Sequence, residues 1–193
     1  MKTITKIVAL SLSLIAPVAF AQPAADKKAA PPPAEKKAPE AAPPAMPMPT
    51  RDAALDQYNN MAGTWKCEGK MNMGGKEMTM KSQAKFAWDM DKYWMVANFT
   101  SPKAKDMPAY KGMGFYGYDA GAKQFVSYHF DNMGGSGMAT SKGKSGTGWE
   151  WAGKGYMMGQ AMETKTTITE VSPKEVKISS SAGGMTEEMT CKK

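Results

Sequence analysis

Apolar and polar side chains alternate along most of the chain from residue 63 onward. In Gly63-Thr64-Trp65-Lys66-Cys67-Glu68-Gly69-Lys70-Met71, Trp65, Cys67 and Met71 fall on one side. Lys66, Glu68 and Lys70 fall on the other, the period-2 signature of a half-buried strand. Residues 77–90 repeat the pattern most cleanly. Met78, Met80, Ser82, Ala84, Phe86, Trp88 and Met90 stand against Glu77, Thr79, Lys81, Gln83, Lys85 and Asp89. Further strands are predicted over 93–100, 110–118, 123–130, 136–142, 147–152, 159–171, 174–180 and 185–192. Between them lie turn residues such as Gly74-Gly75, Asp119-Ala120-Gly121-Ala122, Asp131-Asn132-Met133-Gly134-Gly135, Pro173 and Gly183-Gly184. Nine or ten strands at this spacing predict an all-β, antiparallel barrel. Ahead of it, residues 51–60 suit a short helix with Leu55 and Tyr58 on one face, placed to cover one mouth of the barrel.

The chain before residue 51 is of a different kind. Lys2 and Lys6, the apolar run Ile7 to Ala16 and the small-residue site Ala19-Phe20-Ala21 read as a signal peptide over 1–21, cleaved before Gln22. The apolar run is too short to span a bilayer. Residues 22–50 hold nine of the 13 prolines among Ala, Lys and Glu, and read as a disordered linker. The barrel domain is then 51–193, in the periplasm or outside the cell, where a disulfide persists. The mature chain has two cysteines, Cys67 on the first strand and Cys191 on the last. In a closed barrel those strands are neighbours, so a Cys67–Cys191 disulfide is expected, with two buried thiols or an intermolecular bond as alternatives.

Charge changes the picture little. The formal +7 falls to +4 for residues 51–193, where Arg51 is the only arginine. Nucleic-acid readers lean on arginine for bidentate contacts, and the lysines here alternate with acids as on a solvated face, so no nucleic-acid partner is expected. The barrel is expected to be a monomer with no membrane span.

Gly63-Thr64-Trp65 resembles the Gly-x-Trp opening of calycins, the lipocalin and fatty-acid-binding-protein superfamily. The run Gly112-Met113-Gly114-Phe115-Tyr116-Gly117-Tyr118-Asp119, followed by Lys123-Gln124-Phe125-Val126 and Asp131-Asn132-Met133-Gly134, is similar to a bacterial domain-of-unknown-function family of secreted, lipocalin-like barrels. The resemblance covers about residues 55–193 and implies a barrel with an internal cavity, and no activity. Many lipocalins place a last-strand arginine over the opening tryptophan. Here the residues available for that position are Lys192 and Lys193.

Chemistry in the barrel is concentrated in sulfur. Residues 51–193 hold 16 Met and only seven Leu, Ile and Val together. Met can replace aliphatics as core filler, and Met78, Met80 and Met90 are expected in the core. Trp65, Met71, Met78, Met80, Phe86, Trp88 and Met189 are the expected cavity lining for a small apolar ligand. The alternative is a soft Cu(I) site on Met71, Met73, Met78 and Met80, since thioethers favour that ion. His129, the chain's only histidine, is expected to face outward, because Val126, Tyr128 and Phe130 form the more apolar face of its strand. Asp119 and Asp131 sit at turns, where Asp bonds local backbone. No nucleophile elbow, metal-ligand spacing or cofactor motif is present, so an enzyme is not expected.

Overall fold

The computed structural model describes residues 49–193 except Lys105, Asp106 and Met158. The signal peptide expected over 1–21 lies outside the described residues, as does all of the expected linker but its last two positions. Ten antiparallel strands follow one another in the chain: β1 (Gly63–Met73), β2 (Lys76–Asp89), β3 (Trp94–Ser101), β4 (Tyr110–Asp119), β5 (Gln124–Asp131), β6 (Ser136–Ser141), β7 (Gly148–Met157), β8 (Gln160–Ser172), β9 (Glu175–Ala182) and β10 (Met185–Lys192). Each pairs with its sequence neighbours, and β10 returns to pair with β1, so the sheet is a closed barrel with no free edge. The ten predicted strands are these ten. The largest boundary error is at β7, which runs five residues past its expected end at 152. Gly153 and Gly155 sit inside it without breaking it, and a Cβ at Gly153 would lie 2.0 Å from the Met138 carbonyl oxygen of β6.

Closure at β1–β10 is a close approach. Cys67 stands directly opposite Cys191, bonded to it, with the Cα atoms 3.9 Å apart, tighter than the ordinary spacing of opposed residues. Two residues on, a Cβ at Gly69 would lie 2.0 Å from the Glu188 carbonyl oxygen, so only glycine lets the strands come this near. Trp65, Cys67, Ala84, Met189 and Cys191 form one buried cluster along this seam.

The predicted helix is a 3-10 helix, Ala53–Met61, capped by the Asp52 side chain on the Ala54 N–H. It plugs one end of the barrel. Leu55 and Tyr58 are buried with Met95, Phe125, Trp149 and Trp151 in a second cluster. The Tyr58 ring stacks on Trp149 at 5.2 Å and meets Phe125 edge-on at the same distance. Burial raises the Tyr58 hydroxyl's pKa well above its ordinary value, aided by neighbouring Tyr116, so it stays protonated. The last residue, Lys193, locks the plug. Its Nζ donates to the Asn60 carbonyl at 2.8 Å and sits 4.9 Å over the Trp65 ring, while Trp65 Nε1 donates to the Met61 carbonyl at 2.8 Å. A lysine thus stands over the opening tryptophan.

Candidate functional site

Above the plug the interior is open space. A cavity of about 520 Å³ runs from the buried aromatics toward the opposite end of the barrel. The alternation along each strand decides its lining. Inward positions Trp65, Met71, Met80, Phe86 and Met189 all border it. Met78 shares the inner face, directly opposite Met71 across β1–β2, but is half-buried and outside the lining. Trp88 does not border the cavity. It packs at the plug, 6.3 Å from the Tyr58 ring, with its Nε1 donating to Asn59 Oδ1 at 3.1 Å and Arg51 stacked over it at 4.9 Å. Met90 is not core at all. It lies in the left-handed turn after β2, with φ of 46°, and is 57% exposed. The period-2 count runs through it, yet the strand ends at Asp89.

Methionine is largely a lining residue rather than core filler. Met61, Met107, Met133, Met157 and Met162 also border the cavity, while among the described residues Met95 and Met189 are the only buried methionines, and Met189 also borders it. Of the four residues considered for Cu(I), Met71 and Met80 border the cavity. Met73, at the hairpin end of β1, is 44% exposed. Among the described residues no cluster of His, Cys, Asp and Glu could hold a metal ion.

The sequence reading misplaced His129. On β5 it is Phe125, Ser127, His129 and Asp131 that face the interior, and Val126, Tyr128 and Phe130 that face out. Tyr128 and Phe130 are 37% and 52% exposed, and lie on the outer surface beside Met90, Trp94 and Phe115. The register forces this: Phe125 pairs with buried Ser141 and Ser127 with Ala139, so the odd positions cannot point outward. Parity thus overrode hydrophobicity, which the open cavity tolerates because inward polar groups there are not packed against apolar walls.

The inward groups form a polar cluster at the open end. The Tyr110 hydroxyl and His129 Nε2 are 2.6 Å apart and share a hydrogen bond. Gly112, between them on the inner face of β4, makes this possible, since a Cβ there would lie 2.6 Å from the Tyr110 oxygen. Asp131 Oδ2 stands 3.9 Å from His129 Nε2, while its Oδ1 accepts the Met133 and Gly135 N–H groups at 2.9 and 2.8 Å, holding the turn. Burial depresses the His129 pKa, an effect Asp131 partly offsets. Burial raises Tyr110 strongly, with added push from Asp131 and Glu187, and pushes Tyr116 up to about 12. Glu187, inward on β10, is raised by burial. At the plugged end Glu170 borders the cavity and is neutralised by Lys144 Nζ at 2.5 Å. Sequence alone gave no sign of Tyr110 or Glu187. Both lie on strands where an inward polar residue looks like an outward one.

Rv2717c from M. tuberculosis and a redesigned beta barrel are among the solved structures similar to this chain. Rv2717c from M. tuberculosis is 11% identical, with a TM-score of 0.55 over 74% of this chain and 96% of that one. A redesigned beta barrel is 14% identical, with a TM-score of 0.43 over 71% of this chain and 94% of its own. At this identity the first likeness shows the fold alone. No curated protein matches the chain. Residues 54–191 match the family described as a protein of unknown function (DUF1579), and the chain belongs to that family.

Proposed function

We propose that this protein is a non-catalytic barrel of the cell envelope that carries a small, predominantly apolar molecule. The observation behind this reading is the cavity. Its volume of about 520 Å³ lies in the range of small-molecule sites, and its wall is rich in methionine and aromatic side chains, with Ser and Thr between them and ionisable groups at both ends. Flexible thioethers let such a wall adapt to different ligand shapes. A non-catalytic role is supported by the hydrogen-bonding of the polar cluster. His129 bonds a tyrosine held protonated by burial rather than an alcohol or thiol poised for attack, and Asp131 is engaged by backbone N–H groups. The signal-like N-terminus and the Cys67–Cys191 bond support an oxidising location. Native mass spectrometry of protein purified from its own compartment tests the reading, with an apolar small molecule co-purifying as the expected result.

A second reading keeps the soft metal. Met71 faces Met78 across β1–β2, with Met73 and Met80 beside them on the same face. A copper adduct in that spectrum, lost in the Met71→Leu/Met78→Leu double variant, would replace the carrier with a Cu(I) protein.

A further inference from the structure

The charge on the cavity wall bears on which head group a ligand carries. No lysine or arginine borders the cavity among the described residues, although the chain holds 25 basic residues. A carboxylate, phosphate or sulfate entering the barrel would give up its hydration and meet no cation among the described residues of the wall. His129 supplies none at neutral pH, because burial keeps its ring uncharged. The acids are placed differently. Glu170 is already balanced by Lys144, but Glu187 has no hydrogen-bond or ion-pair partner among the described residues. Asp131, at the end of β5, and Glu187, near the start of β10, lie at the same end of the up-and-down barrel, and both border the cavity. Aromatic side chains border the same region: Phe99 lies 5.7 Å from the His129 ring, and Tyr110 is part of the wall. Carboxylates backed by aromatic faces are the groups that recognise an organic cation.

We infer that the cavity takes amphiphilic organic cations, with a protonated amine seated between Glu187 and Asp131 by the Tyr110 hydroxyl and an apolar body lying toward the plug. The inference rests on the carrier reading and names its ligand class. An ammonium group supplies a counter-charge that half-buried Glu187 does not find among the described residues, and it meets hydrogen-bond acceptors in both carboxylates. An anionic amphiphile of the same length loses that gain and adds repulsion.

Dodecylamine, 1-dodecanol and dodecanoate, equal in chain length and used below their micelle concentrations, provide the test. Each is titrated against the disulfide-bonded protein by displacement of the neutral fluorophore N-phenyl-1-naphthylamine. The expected order is amine, then alcohol, then acid, with the amine bound at least about tenfold more tightly than the acid, equivalent to ~1.4 kcal/mol. In Glu187→Gln the amine should lose its advantage over the alcohol. Dodecanoate binding as tightly as dodecylamine overturns the inference and leaves the carrier reading standing. Failure of all three, and of the fluorophore, overturns the carrier reading itself. Unchanged amine affinity in Glu187→Gln overturns the seat assigned to the head group. Should that variant not fold, the wild-type order decides alone.

Discussion

His129 is the chain's only histidine, so its titration is read from a single pair of NMR ring resonances. Its pKa is expected below 6.5, because burial disfavours the charged ring. Asp131→Asn should lower it further by removing the charge that partly offsets burial. Gly112→Ala, whose new methyl would collide with the Tyr110–His129 hydrogen bond, should return it toward the ordinary value. A wild-type value above 6.5 would contradict an inward His129. Glu187 gives a prediction of opposite sign. Its folded pKa is raised, so the native state binds more protons than the unfolded chain between about 4.5 and the raised value. The protein therefore loses stability as pH rises through that window, and Glu187→Gln should be more stable than wild type at pH 7 but not at pH 4. Urea melts at the two pH values check this, and equal effects at both would refute it. These residues were the least legible part of the sequence. Alternation shows which side chains share a face, but not which face is inside, and in β5 the more apolar set faces out.

At the scale of elements, the β1–β10 seam and the plug hold the fold. Gly69→Ala places a methyl where the Glu188 carbonyl oxygen lies, so the strands must separate, at an expected cost of about 1–3 kcal/mol. Leu55→Ala, at a position 2% exposed beneath the aromatic cluster, should cost about 2–5 kcal/mol. Thermal and urea melts measure both. A loss below about 0.5 kcal/mol for Leu55→Ala, the size of an ordinary surface substitution, would mean that the 3-10 helix does not plug the barrel. Elements were the most legible scale. Ten runs of alternation bounded by Gly, Asn, Asp and Pro became ten strands, because a meander uses short turns whose chemistry is local. Met90 was misread for a related reason: its φ of 46° is set by the turn and leaves no trace in hydropathy.

At the largest scale, residues 63–192 form a closed sheet with two modest buried clusters and a large interior cavity, so the bond across the closing seam matters to its stability. Cys67 and Cys191 are 124 residues apart, and loop entropy puts the bond's contribution at up to ~4–5 kcal/mol. Cys67→Ser/Cys191→Ser should lower the melting temperature strongly while the far-ultraviolet spectrum stays that of a β protein at low temperature. Closure was legible from the two cysteines alone, since they sit on the first and last strands. The size of the cavity was not. It depends on strand number and tilt, and ten strands leave more interior than the side chains fill. The most direct test of the central claim is titration with N-phenyl-1-naphthylamine, following its emission and the quenching of Trp65, Trp149 and Trp151, which border the cavity. Saturable one-to-one binding is predicted, abolished in Ser127→Phe, where a ring would occupy the cavity from β5. Non-saturable binding, or binding unchanged in a folded Ser127→Phe, would contradict an interior ligand site.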